Sequence, residues 1–262
     1  MRRAAGQPPH GEPERGRGFA GRGPLDELGW PTVSEQLPDG IREIAAGQVE
    51  RLADLVAGLS DADLVAPTLC SGWLAAHLLT HLRLGLAEQA TSFAEPAGPQ
   101  EAVDRDYVSY WRDWPPAAEP VTFGQARFYW ATSSAYATAG SLRRHFADTA
   151  RQAAGISRQA PAGTFRLQGH VMAAEDILAM WTVEWVIHQL DLTAHLPGDR
   201  LAPRRDALTL ALRTLDDLTG APVRPAAWTP ERYLLKGAGR LPLDDGEREF
   251  LGERAAAFPA LG

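Results

Sequence analysis

One apolar run constrains this chain more than any other feature. From Val171 to Leu196 the sequence is almost continuously hydrophobic, and it reads as one buried helix ended by Pro197-Gly198. Inside it lies Trp181-Thr182-Val183-Glu184-Trp185-Val186-Ile187-His188-Gln189-Leu190-Asp191. Glu184 and His188 have the i, i+4 spacing, so their side chains leave one face a turn apart. Asp191 follows near the same face. A carboxylate and an imidazole among Trp, Val, Ile and Leu are costly to bury unless each finds a partner. A divalent metal would satisfy both at once, so Glu184 and His188 are read as two ligands of a metal site.

The third ligand must come from elsewhere. A second helix is expected from Ser71, as its N-cap, to about Phe93. On it His77 and His81 again share a face, and one or both could supply the missing ligand. Two imidazoles and a carboxylate suit zinc best, and nickel, iron or manganese also. Three protein ligands leave coordination positions open, the mark of a catalytic site. Asp191 could hold the ring of His188 or a bound water. The competing reading is structural: buried histidines are often simply hydrogen-bonded, and Glu184 could pair with Arg127 or Arg143. His145, His170 and His195 are read as structural or surface residues. Cys70 stands near the start of the second helix, where a thiol has a lowered pKa, yet a small core residue is the better reading than a nucleophile.

The rest of the chain points to an all-α fold. A first helix is expected from Ser34 or Asp39 to about Leu59, with Ile41, Ile44, Val49, Leu52 and Val56 on its apolar face. A third spans Phe123 to about Ala154, and Val171–Leu196 is the fourth. Residues 94–122 form a long Pro-rich connection in which Tyr107, Tyr110, Trp111 and Trp114 could wall a pocket or pack on the bundle. Thr164 to Leu167 reads as a short extended segment. Shorter helices follow near Arg205–Thr219, Pro230–Lys236 and Asp244–Ala257. Gly237 and Gly239, between Lys236 and Arg240, suit either an anion contact or a helix C-cap. The expected organisation is a disordered tail over 1–29, a helix bundle over 30–200 and a small helical region over 201–262.

A net charge of -7 argues against general nucleic-acid binding. A single cysteine excludes an intramolecular disulfide and a cysteine-based zinc site. The N-terminus lacks the apolar core of a secretory signal, and no uncharged apolar stretch is long enough to span a bilayer. The cytoplasm is the expected compartment, for a monomer or a homodimer. Lys236 is the only lysine among 26 basic residues, a coding bias that suits an actinobacterial source.

Two motifs carry a resemblance. Cys70-Ser71-Gly72-Trp73 followed by Leu78-Leu79-Thr80-His81-Leu82, and then Glu184-x-x-x-His188-x-x-Asp191, together resemble the mycothiol-dependent maleylpyruvate isomerase family of the DinB-like metalloenzyme superfamily. The likeness covers about residues 35–200. It implies a DinB-like four-helix bundle with a short, mainly helical C-terminal extension. It implies His81, Glu184 and His188 as the metal ligands, with His77 only a flanking residue. It also implies mycothiol as the thiol cofactor. The family's isomerases use an arginine from a larger C-terminal domain, and Arg240 is its candidate counterpart here.

The expected function is therefore a metal-dependent enzyme that activates a low-molecular-weight thiol for isomerisation or thiol transfer on a small electrophile, in secondary metabolism or detoxification. Arg127 or Arg240 would hold substrate carboxylates. A non-catalytic small-molecule or metal-binding protein on the same bundle is the alternative. A thiol-independent metal hydrolase is a third reading.

Overall fold

The computed structural model describes residues 37–112, 123–198, 200–220 and 224–261. The expected N-terminal tail and Trp114 lie outside the described residues. The described part is mainly helical, with one two-stranded sheet.

Helix α1 (Ile41–Ala57) starts after Gly40, whose φ of 77° suits glycine. Its buried Ile44, Ala45, Val49, Leu52 and Val56 keep the helical period and face the core. The sequence expectation was right about this face and placed the start up to seven residues early, because chain polarity alone does not mark the Gly40 turn.

Helix α2 (Ala75–Thr91) begins later than expected, and Ser71 is not its N-cap. Residues 67–74 form a closed loop instead. Thr68 N–H donates to the Trp73 carbonyl at 3.0 Å, and Gly72 takes the turn with a φ of 76°. The first turn of α2 is capped by His77, whose Nδ1 accepts the Leu74 N–H at 3.1 Å.

The one-turn helix α3 (Ser109–Arg112) lies in the expected irregular connection. The single third helix expected over 123–154 is two helices, α4 (Phe123–Ser134) and α5 (Ala139–Arg158). The break is built by Thr138: its side chain accepts the Ser141 N–H while Ser141 Oγ accepts the Thr138 N–H. Strands β1 (Thr164–Leu167) and β2 (His170–Ala173) pair antiparallel, so the fourth helix, α6 (Ala174–Thr193), starts three residues after Val171.

Helices α1, α2, α5 and α6 pack as the bundle, with α1 and α2 each against α5 and α6. Almost every residue of α6 is buried, which explains its lack of an apolar stripe. Trp181 and Trp185 stack with centroids 5.1 Å apart, 8° from parallel. Opposite them Gly85 of α2 lets the helices close: a Cβ there would lie 2.7 Å from the Trp185 ring. The indole N–H of Trp185 donates to Gln89, which donates in turn to Ser157 of α5.

Helices α7 (Arg205–Thr219), α8 (Pro230–Gly237) and α9 (Asp245–Leu251) follow, and α7 packs on α6 and α1. The last helix expected, Asp244–Ala257, is broken at Gly252, whose φ is 58°, and continues as a 3-10 segment over Gly252–Ala257. A buried amide pair joins the two halves. Gln48 donates to Gln189 at 2.7 Å and accepts the Arg204 N–H, while Gln189 donates to the Leu201 carbonyl. Among the described residues no helix is long and apolar enough to cross a membrane.

Candidate metal centre

The i, i+4 spacing on α6 places Glu184 and His188 beside His81 of α2. His188 Nε2 lies 3.1 Å from Glu184 Oε1 and 3.2 Å from His81 Nε2. His81 Nε2 lies 3.4 Å from Glu184 Oε1. A cation with bonds of about 2.0–2.1 Å has donors about 3.0 Å apart in an octahedron and about 3.4 Å apart in a tetrahedron. The observed triangle has those edges, so the three residues fit a divalent metal.

His188 Nδ1 lies 2.9 Å from Asp191 Oδ2, so a His188 that offers Nε2 to a metal would donate Nδ1–H to that carboxylate. Without a metal the same cluster can hold a proton on His188 between the two carboxylates. Burial would push Glu184 up, but the two imidazoles hold it well below the ordinary carboxylate range. Burial would likewise lower His188, and the Glu184 and Asp191 carboxylates raise it. Burial lowers His81, the favourable direction for a neutral ligand.

Behind His188, Asp191 has no exposed surface. Burial alone would raise its pKa, yet the His188 hydrogen bond and the Arg240 charge keep it lowered. Arg240 Nε donates to both its oxygens at 3.0 and 3.2 Å. Arg240 reaches it from the turn after α8, where Gly239 has a φ of 69° and the Arg240 N–H caps the Leu235 carbonyl. Gly239 thus serves the helix end, while Gly237 lets α8 close on Leu215 of α7. Arg240, expected at substrate carboxylates, is instead committed to Asp191. Arg127 is exposed on α4 and does not line the cavity described below. Arg143, a candidate partner for Glu184, donates to the Leu59 carbonyl and Asp61.

Cys70 corrects a further expectation. It precedes α2 by five residues, out of reach of the helix terminus, and burial with the Asp191 charge pushes its thiol up. Its S–H donates to Asp191 Oδ2 at 3.3 Å. Cys70, His188 Nδ1 and Asp191 also cluster tightly, but Arg240 sits on the same carboxylate and would repel a cation there.

Sequence reasoning missed Tyr129 of α4. Its hydroxyl lies 3.2 Å from His81 Nδ1, so a His81 that offers Nε2 to a metal donates Nδ1–H to the tyrosine oxygen. Helix α4 has no buried residue and no apolar period, so no pattern marked Tyr129.

A cavity of about 420 Å³ opens onto Glu184 and His81. Trp73, Tyr110, Trp111, Tyr129 and Trp181 wall it, with Glu88, Gln125 and Gln168 as polar groups. Gln168 has a φ of 51° in the β1–β2 turn, and its amide is gripped by Tyr110 and Glu88. Of the two pocket readings for the connection, Tyr110 and Trp111 line the cavity, while buried Tyr107 packs on the fold and its N–H donates to Asp176. A larger hollow of about 740 Å³ between α1 and α7 contains arginines but no histidine or cysteine. The imidazole–carboxylate cluster is at the smaller one.

A helical bundle in which two helices bring two imidazoles and a carboxylate to one point, at the floor of an aromatic cavity, is of the DinB-like kind. The sequence matches the mycothiol maleylpyruvate isomerase N-terminal domain over residues 45–193, more than half of the chain, and the chain belongs to that family. The matched span contains Cys70, Trp73, His81, Glu184, His188 and Asp191 and stops short of Arg240. No curated protein and no solved structure matches the chain.

Proposed function

We propose that the protein is a metal- and thiol-dependent enzyme that isomerises, or transfers a thiol to, a small electrophile. The observation that carries this reading is the donor triangle of 3.1, 3.2 and 3.4 Å at the floor of the cavity. Membership of a family named for mycothiol and maleylpyruvate isomerase makes mycothiol the thiol of choice. His81, Glu184 and His188 would hold the cation, with zinc best suited to the donors and nickel, iron or manganese also compatible. Such a cation supplies Lewis acidity that lowers the pKa of a bound thiol and makes it a nucleophile at neutral pH.

The chain's own residues do the rest. Asp191 fixes the His188 tautomer, Arg240 keeps Asp191 ionised, and Tyr129 orients His81. The aromatic wall excludes water from the thiolate and the electrophile. With a cis-enone, reversible thiolate addition frees the bond to rotate before elimination; with a leaving group, the thiol is transferred.

The test is metal content followed by turnover with and without mycothiol. His188→Ala should lose the metal and all thiol-dependent turnover while keeping the helical circular-dichroism signal. Unchanged metal content in that variant sinks the assignment. Full metal loading of the wild type with no turnover would leave the binding-protein reading in its place, and turnover without thiol would favour a hydrolase.

A further inference from the structure

Away from the metal centre, the charge balance of the molecule reverses. The chain carries 33 acidic against 26 basic residues. Yet the hollow of about 740 Å³ between α1 and α7 is lined by Arg51, Arg204, Arg205 and Arg213, against the one carboxylate of Asp206 among the described residues. It shares no lining residue with the metal cavity. Helical spacing gathers these cations. Arg205, Thr209 and Arg213 stand one turn apart along α7, and Arg51 stands one turn after Gly47 on α1. Glycine weakens a helix interior, but here it seats a cation: a Cβ at Gly47 would lie 2.8 Å from a guanidinium nitrogen of Arg204.

The acids nearby do not neutralise all four. Asp206 accepts from Arg204 at two points, 3.1 and 2.7 Å. Glu43 and Glu50, the other acids that act on Arg204, are both gripped by Arg158. Asp217, one turn along α7, offsets Arg213. Arg51 donates through Nε to the Ala202 carbonyl at 2.9 Å and has no carboxylate partner among the described residues. The exposed Arg205 side chain makes no hydrogen bond or ion pair among them. A cleft lined by one sign of charge concentrates ions of the other.

The lining also selects the kind of anion. A carboxylate is filled by one guanidinium fork, as Asp206 is by Arg204. An anion that engages two forks at once needs a third oxygen and a second charge, which a phosphate monoester has. Ile44, Leu210 and Pro203 add apolar surface beside the arginines, and the volume is that of a small-molecule site. We propose that the hollow between α1 and α7 binds a free phosphate monoester with an apolar body, its phosphate on Arg51 and Arg205 and its body on Ile44 and Leu210. The proposal does not depend on the metal–thiol reading.

Calorimetry with phenyl phosphate tests it, at fixed ionic strength and on chelator-treated full-length protein, since a metal would itself attract phosphate. Benzoate and inorganic phosphate are the comparison ligands. Phenyl phosphate should bind at least about tenfold more tightly than either. Arg51→Gln and Arg205→Gln should each weaken it by about tenfold. Arg205 has no partner to lose, so Arg205→Gln should keep the wild-type melting temperature. Vesicles of phosphatidylcholine with phosphatidic acid carry the same group on a lipid. In sedimentation they should leave the protein in solution, because its net charge of -7 opposes an anionic surface. The proposal is overturned if phenyl phosphate does not bind, if benzoate or inorganic phosphate matches it, or if Arg205→Gln keeps full affinity. Capture by the vesicles that Arg205→Gln abolishes would assign the arginines to a lipid headgroup and overturn it too.

Discussion

Asp191 accepts hydrogen bonds from His188, Cys70 and Arg240 with no solvent exposure, so its charge has only protein to balance it. Arg240→Met would leave that carboxylate buried and uncompensated, at a cost of about 3–5 kcal/mol. Urea unfolding of metal-free protein measures this, and adding Asp191→Asn should recover part of the loss. Asp191→Asn alone removes the acceptor that fixes the His188 tautomer, and metal affinity should fall by about 10–100-fold in competition with a chelating dye. At this scale the sequence was informative where spacing and burial conspire: a carboxylate and an imidazole one turn apart in an apolar run have few other uses. It was silent on Tyr129 and on the partner of Arg240, because both depend on helices that meet only in three dimensions. It set Cys70 too near the helix terminus and so expected a lowered thiol pKa, since proximity in sequence to a helix start says nothing about where the first turn begins.

Between elements, the approach of α2 to α6 sets the geometry of the centre, for His81 rides on one and Glu184 with His188 on the other. At Gly85 the approach leaves no room for a side chain, because a Cβ would lie 2.7 Å from the Trp185 ring. Gly85→Ala would force its methyl into the Trp185 ring, and overpacking of this kind costs about 1–3 kcal/mol. Thermal unfolding should show the loss, and metal affinity should fall with it as the two helices separate. The bundle helices were legible in the sequence because α1 carries a clean apolar period and α6 an unbroken apolar run. The division of α4 from α5 was not. Its mark is the Thr138-x-x-Ser141 box, whose serine does the work usually done by a glutamate. The β1–β2 pair was half visible: Thr164–Leu167 looked extended, while its partner was absorbed into the hydrophobic run that follows.

For the molecule as a whole, the C-terminal helices are held by a charged knot as well as by packing. Glu247 accepts from Trp228, Arg232 and Lys236 and from the Asp244 N–H. Burial would raise its pKa, but these donors bring it down from 4.5 to about 2. The sign follows directly: a depressed carboxylate stabilises the fold above its unfolded pKa, and the gain is lost as pH falls from about 4.5 toward 2. Glu247→Gln should therefore destabilise the protein at neutral pH by on the order of 1–3 kcal/mol. In melting curves across acidic pH its deficit should shrink toward zero near the lower limit. That three short helices end the chain was readable from their caps and glycines; that they reach the centre through Arg240 was not. Arg240 stands 49 residues beyond Asp191, and this has a consequence during synthesis. A ribosome delivers all three donor residues well before their supporting guanidinium. The nascent bundle holds an unbalanced carboxylate behind His188 until the segment after α8 docks, so the site matures last, from the outside in.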